Sequence, residues 1–321
     1  MLPRRPIRIL RGLSAIRRAP TRTVVAVGVF DGVHRGHRRI LRAAVRLARR
    51  QRALAVALTF DPDPQRVLAP AQAAPALMPL GERVRVLAAT GVDRVLVIPF
   101  TQRFARVTAA QFVDRVLVRQ LHARVLVVGE QFLFGRGQAG NLALLRRLGP
   151  SRGFDVVSVP EVRHGGAPIS SSRIRRLIAA GELAQARALL GRPAALYGRV
   201  VPGAGRGRGL GFPTANIALR EHVLPPQGVY AVTVERPGAR WRGPGVMNLG
   251  VRPTFGGGPV VCEVHVLGFS GSLRGAALIV HLLARLRAER RFSSAAALRR
   301  HIQRDVQRAR RLTARLSSSL Q

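Results

Sequence analysis

Short apolar runs alternate with amphipathic stretches through the first half of the chain. Runs at Thr23–Phe30, Ala53–Phe60, Arg94–Pro99, Arg124–Gly129 and Asp155–Val159 read as strands. Between them, Arg38–Arg50, Gly81–Ala89, Ala109–Leu121 and Asn141–Leu148 carry apolar residues at helical spacing. This alternation predicts βαβ units and a parallel sheet, and runs such as AVALTF have the composition of strands buried on both faces. From Ile169 the pattern changes. SSSRIRRLIAAGELAQARALLG predicts two helices broken at Gly181, a bridge to a second domain. Strand-like runs follow at Ala195–Val201, Val229–Val234, Val246–Leu249, Val261–Leu267 and Ala276–Leu283, punctuated by Gly and Pro as in an antiparallel barrel. Ser293–Leu316 closes the chain as an amphipathic helix with a serine cap. The expected class is α/β followed by β, with no internal repeat.

Composition narrows the function classes. The 321 residues, 47% hydrophobic and 21% charged, suit two globular domains. The longest apolar runs, such as Ala53–Leu58, are too short to cross a bilayer, so no membrane role is expected. The basic N-terminus lacks a continuous apolar core and reads as part of the folded protein, not as a secretory peptide. A single cysteine, Cys262, excludes an internal disulfide framework and a Cys-based zinc cluster, and a cytoplasmic enzyme is expected. The formal charge of +39, from 54 basic and 15 acidic residues, attracts polyanions. All 54 are arginine and they are spread over the whole chain, a pattern of coding bias more than of a binding face. No specific nucleic-acid partner is therefore expected, and oligomeric state is not legible.

Candidate chemistry enters in two places. GVFDGVHRGH, Gly28–His37, joins the first strand to the first helix. In an open α/β sheet, ligands gather where strand ends meet a helix N-terminus with free amides and partial positive charge. Gly28, Phe30 and Gly36 are candidate nucleotide-binding positions there, the glycines allowing close backbone approach. His34 and His37, three apart, can donate to charge that develops on a phosphate chain. The nearby GRGQAG of Gly135–Gly140 matches a dinucleotide fingerprint but sits too far beyond its strand, and a Walker loop is excluded because the chain has no lysine.

The second place is GAGRGRGLGFPTAN, Gly203–Asn216. Gly205, Gly207 and Gly209 permit a loop that wraps phosphates, with Arg206 and Arg208 as anion partners. Thr214 and Asn216 are oxygen donors two apart, candidate ligands for Mg²⁺ arriving with ATP. On composition alone, a flexible loop with an Asx turn is an equal alternative. Further on, a strand reading puts Glu263 and His265 on one face, with Cys262, Val264 and Val266 on the other. His122, His164, His222, His281 and His301 have no ligand spacing and read as structural or exposed.

These motifs carry a family resemblance. The first resembles the HxGH signature of the nucleotidylyltransferase superfamily, and Phe30-Asp31-Gly32 is similar to its flavin-synthesising branch. TFDPDP (Thr59–Pro64), VGEQFLFGRGQAGN (Val128–Asn141) and ISSSRIR (Ile169–Arg175) follow in that family's order. The match implies that Ser171, Ser172 and Arg175 clamp the ATP phosphates, a task suited to two hydroxyls and a guanidinium fork. GRGLGFPTAN is similar to the signature of the riboflavin kinase fold, a small Greek-key barrel. LLGRPAALYGRVV (Leu189–Val201), PQGVYAV (Pro226–Val232), VMNLGVRPTF (Val246–Phe255) and CEVHVLGF (Cys262–Phe269) surround it in matching order.

Over about residues 7 to 310 the chain therefore resembles the bacterial bifunctional riboflavin kinase/FMN adenylyltransferase, or FAD synthetase, family. The resemblance implies a doubly wound parallel-sheet adenylyltransferase domain over residues 1–185 and a kinase barrel with a terminal helix over 186–321. It implies riboflavin, FMN and ATP as ligands, Mg²⁺ as cofactor, and Glu263 as the catalytic base towards the ribityl hydroxyl. The chain departs from the family's usual Asn at Val29, His at Asp63 and Asp at Gln131, and has Ser272-Leu273-Arg274-Gly275 where a Tyr commonly follows an acidic residue. Two other readings stay open: a kinase with an impaired adenylyltransferase domain, or a basic nucleic-acid-binding protein on the same scaffold.

Overall fold

In the computed structural model, residues 7–16, 22–203, 206–209, 211–239, 241–251, 260–290 and 292–318 are described. The apolar runs of the first half form β1 (Arg8–Arg11), β2 (Thr23–Val27), β3 (Leu54–Asp61), β4 (Arg94–Pro99), β5 (Ala123–Gly129) and β6 (Asp155–Val159). All pair in parallel, in the order β1-β4-β3-β2-β5-β6. The chain runs outward from β2 to β3 and β4, then returns to the other side of β2 for β5. This reversal opens a crevice at the carboxyl ends of β2 and β5.

Period-two alternation fills the core on both faces. Val25, Val27, Val56, Leu58, Leu96 and Ile98 form one apolar cluster with Phe112, Val116, Leu117 and Leu145. The opposite face is covered by α1 (Arg35–Arg50), which packs on β2, β3 and β5 and buries Leu41, Ala44 and Ala48. Helices on both faces make the sheet doubly wound. The remaining helices of this half are α2 (Pro64–Leu68), α3 (Leu80–Ala88), α4 (Gln102–Ala105), α5 (Ala109–Phe112) and α6 (Leu142–Arg152).

Two expectations are corrected, and one strand was not expected. The strand expected to reach Phe30 stops at Val27, because the chain turns through a left-handed Phe30 (φ 55°). The helix expected over Ala109–Leu121 is α only to Phe112 and continues as a π-helix over Val113–Gln120. Edge strand β1 had no signal: four residues, RILR, mostly exposed, carry no alternation to read.

A short antiparallel hairpin, β7 (Arg163–His164) with β8 (Ala167–Pro168), precedes α7 (Ser171–Ala179), and the predicted break at Gly181 (φ 81°) separates α7 from α8 (Leu183–Leu190). Beyond it, β9 (Ala195–Val201) leads into a short helical turn, α9 (Arg206–Gly209). β10 (Ala215–Leu219), β11 (Gly228–Glu235), β12 (Arg242–Val251), β13 (Val260–Val266) and β14 (Ala277–Arg287) follow. They close an antiparallel barrel in the order β10-β13-β12-β11-β14-β9, with β14 returning beside β11 as a Greek key requires. Helix α10 (Ala295–Ser318) packs across β11, β12 and β14, with Val306, Ala309 and Leu312 against Val229, Ala231, Val246 and Leu286. β10 overlaps the glycine-rich motif only at Ala215 and Asn216 and was not expected as a strand. Among the described residues, no helix is long and apolar enough to cross a membrane.

The chain divides into two compact units: residues 1–75 with 80–171, and residues 76–79 with 172–321. In the second unit Ala76 pairs with His222, and Val223 N donates to Ala76 O at 3.2 Å. His222 is buried, and its Nε2 accepts from Tyr197 N at 3.2 Å, which requires a neutral ring. Burial, then the nearby Arg220, lowers its pKa from 6.5 to about 4. The unfolded chain therefore takes up a proton that the fold refuses between those two values. Stability of this unit should be complete above about pH 6.5 and fall with decreasing pH, by about 2 kcal/mol between pH 7.5 and 5. Urea midpoints followed across that range check it, and His222→Gln should flatten the dependence.

Candidate functional site

Each unit holds one candidate site. In the first, Gly28–Val33 turns sharply at the crevice between β2 and β5. Phe30, Gly32 and Val33 all have positive φ, and for β-branched Val33 (φ 38°) that is a strained conformation. Three contacts hold the turn. The Val29 carbonyl accepts from Thr59 Oγ1 at 2.8 Å and from Arg83 Nη1 at 3.0 Å. Arg83 Nη2 also donates to Phe60 O at 2.7 Å and lies 3.5 Å from Asp61 Oδ1. Ser171 Oγ donates to Asp31 O at 2.9 Å.

From this turn His34 enters as the N-cap of α1, its Nδ1 accepting from His37 N at 3.3 Å. The two imidazoles stack with centroids 3.6 Å apart, and Phe30 meets His37 edge-on at 5.3 Å. A side chain at Gly36 would lie 3.1 Å from the His34 ring, so glycine allows the stack. Burial, with His34 adjacent, holds the His37 pKa well below its ordinary value, which keeps that ring neutral near pH 7. The pair borders a cavity of about 230 Å³ lined also by Gly28, Phe30, Gly129, Gln131 and Phe132. Phe132 stacks on Phe134 there, with ring centroids 5.4 Å apart. Neutral N–H groups at a helix N-terminus beside an aromatic wall form a site for a phosphate chain bearing a flat ring.

In the second unit the barrel register builds the site. Asn216 stands opposite Glu263 across β10 and β13, and Glu263 opposite Asn248 across β13 and β12. Cys262, Val264 and Val266 point into the barrel, so Glu263 and His265 face outward as the alternation predicts. Glu263, His265, Asn248, Thr214, Phe212 and Gly207 line a cavity of about 640 Å³, in the range of small-molecule sites. His265 Nδ1 is 2.8 Å from Pro213 O, which fixes the chain before Thr214. Asn216 is 8% exposed, and its Oδ1 is buried with no donor among the described residues. An orphaned neutral oxygen beside a threonine hydroxyl and a carboxylate fits a hard cation that keeps water and phosphate in its shell. Cys262 is no nucleophile: burial, then Glu263, pushes its pKa to about 12.

Two family models match the chain: FAD synthetase over residues 16–173 and riboflavin kinase over residues 190–313. A bifunctional riboflavin kinase/FMN adenylyltransferase of Escherichia coli K12 is 41% identical over 305 residues, covering 95% of this chain and 97% of its own. The chain belongs to the bifunctional riboflavin kinase/FMN adenylyltransferase family. A Pseudomonas fluorescens protein of the same name is also 41% identical, over 96% of this chain and 98% of its own. Among solved structures, one described as a macrolide-efflux protein from Streptococcus pneumoniae superposes with a TM-score of 0.84 at 31% identity, covering 95% of this chain and 99% of that one. That likeness extends to both units; the description belongs to that protein.

Against this family pattern, the structure brings Gly28, Phe30, His34, Gly36 and His37 together at one cavity and anchors Ser171 to the same turn. Ser172 and Arg175 lie further along α7 and group with the second unit. Thr214, Glu263 and Gly207 meet at the other cavity. The glycine run is not the open loop expected. Arg206–Gly209 forms a helical turn, and Phe212 N donates back to Gly207 O at 2.8 Å. Gly209 is exposed, and Gly205 lies outside the described residues. Asp63, one departure from the family, caps α2 by accepting from Gln65 N at 2.9 Å.

Sequence reading missed Arg83 and Asn248. Arg83 is 5% exposed, a buried cation in a segment that reads as an ordinary helix. Arg83→Met should remove the side-chain donor to the Phe60 carbonyl and leave the Val29 carbonyl with Thr59 Oγ1 alone. We expect a loss of about 2–4 kcal/mol from the first unit, read as a lower urea midpoint, with partial recovery in Arg83→Lys.

Proposed function

We propose that this chain makes FAD in two ATP-dependent steps, phosphorylating riboflavin with residues 186–321 and adenylylating the resulting FMN with residues 1–185. The observation that carries this reading is the barrel row that sets Glu263 between Asn216 and Asn248 on the wall of a flavin-sized cavity.

In the kinase step, Glu263 accepts the proton of the ribityl 5′-hydroxyl as that oxygen bonds to the γ-phosphorus of ATP and the bridging P–O bond to ADP breaks. Asn216 and Thr214 would hold Mg²⁺, which when bound neutralises phosphate charge. Gly207, with flanking Gly205 and Gly209, lets the backbone approach the phosphates. Phe212, packed edge-to-face on His265 with centroids 5.6 Å apart, shares the cavity wall with Glu263.

In the adenylyl step, an FMN phosphate oxygen attacks the α-phosphorus of ATP and pyrophosphate leaves. His34 and His37 donate to the oxygens where charge accumulates, aided by the amides at the start of α1. A depressed pKa makes His37 a neutral donor. Ser171, Ser172 and Arg175 act as the phosphate clamp. In this reading two of the departures from the family fall outside the groups that act on the phosphates. The Asp63 carboxylate is engaged at its cap, and Gln131 keeps a hydrogen-bonding amide on the cavity wall. ATP-linked flavin chemistry and a single buried thiol suit a cytoplasmic enzyme, and no nucleic-acid partner enters this reading.

Purified protein given riboflavin, ATP and Mg²⁺ should form FMN and then FAD, separated by chromatography. Glu263→Gln should slow FMN formation by about 10²–10⁴-fold while leaving FMN-to-FAD conversion largely intact. His37→Gln should do the opposite, by about 10²–10³-fold. FMN accumulating without FAD in the wild type would restrict the chain to the kinase step.

A further inference from the structure

Two carboxylates, Glu130 and Glu161, stand on the wall of the first unit's cavity. Both are exposed, and neither has a hydrogen bond or ion pair among the described residues. In a chain with 54 arginines and 15 acidic residues, an unpaired carboxylate does not reflect a shortage of cations. Its place matters more, because the same cavity holds His34 and His37, where a phosphate chain would sit. A carboxylate repels phosphate, so one that borders such a cavity belongs at the end where the nucleotide is neutral.

The sheet sets the distances. β2 leads into the histidine turn, β5 lies beside β2, and β6 lies beyond β5. Glu130 follows Gly129, the last residue of β5, which pairs with Val159, the last residue of β6. Glu161 comes two residues after Val159. At the strand ends it is therefore two spacings from the turn after β2, about 10 Å, whereas Glu130 is one. The backbone around Glu161 is held in place. Val159 is buried, and Val162 O accepts from Ile169 N at 2.8 Å on the same cavity wall. A ribose and a purine together cover the step from a phosphate at the histidines to Glu161.

We propose that Glu161 selects the nucleotide for the adenylyl step by accepting a hydrogen bond from the 6-amino group of adenine. This rests on the assignment of adenylyl transfer to this cavity. The amino group offers two N–H bonds, and a carboxylate is a strong acceptor for either. In a 6-oxo purine placed the same way, the carboxylate would face a carbonyl oxygen and lose its donor. The oxidised flavin ring is a poorer match. Its single N–H lies between two carbonyl oxygens, which a carboxylate repels.

The test supplies FMN and compares ATP with purine riboside triphosphate, which is ATP without the 6-amino group, as the donor for dinucleotide formation. Wild-type protein should show a KM for ATP about tenfold below that for the analogue. Glu161→Ala should raise the ATP KM about tenfold and leave the KM for the analogue and for FMN unchanged, so that the preference disappears. Glu161→Gln keeps an acceptor without the charge and should retain only part of the preference, whereas Glu130→Ala should retain all of it. An undiminished preference in either Glu161 variant would overturn the proposal and leave the adenylyl reading standing. So would an equal change for both nucleotides, a rise in the FMN KM, or no preference in the wild type. An equal loss of preference in Glu130→Ala would overturn it as well, since the general charge of the wall would then be responsible. Wild-type protein that joins FMN to neither nucleotide would remove the adenylyl reading and this proposal with it.

Discussion

Strand register in the barrel is the constraint on which the second unit depends. Side chains alternate between faces, so a slip of one residue in β13 would turn Glu263 inward and present Cys262 to the cavity. The slip is opposed from inside. Cys262 and Val264 are fully enclosed, and an inward carboxylate would have no partner there. Packing and chemistry are thus specified by the same alternation. The hydrophobic interior of β13 holds Glu263 in line with Asn216 and Asn248.

The first unit solves its positioning problem with backbone contacts. Its turn after β2 is strained, and strain persists only where surroundings over-determine the conformation. Thr59 and Arg83 converge on one carbonyl, and Ser171 reaches the turn from α7. The histidine stack is a consequence. Once Phe30 is left-handed and Gly36 leaves room, two imidazoles can share a space in which only neutral rings are comfortable. Burial is used differently in the two sites. It keeps a proton off His37, whereas at Asn216 it leaves an oxygen that a cation can satisfy.

Much of this was legible in the chain because the signals are local. The strand–helix alternation, the break at Gly181 and the outward face of Glu263 all follow from periods of two and 3.6. The end of β2 was not legible, since Gly28–Phe30 is apolar enough to extend a strand and only the tertiary clamp makes it turn. Glycine spacing suggested an open loop where a helical turn folds back on Phe212, because such spacing reports freedom and not the conformation adopted. Arg83 was hidden for another reason. In a chain with 54 basic residues no single arginine stands out, and what distinguishes this one is a pair of acceptors far away in sequence.

The two compact units are not two consecutive stretches of chain. Residues 76–79 fall between β3 and β4 of the first sheet, yet they belong to the body that contains the barrel, where Ala76 pairs with His222. A fragment cut at residue 172 to isolate the barrel would lack this strip. The amide of Val223 would lose its acceptor, and a ring built to remain neutral would lose part of its cover. Evolution by simple end-to-end fusion or fission of the halves is correspondingly restricted: an ancestor split at that point would have needed something else in the place of four residues.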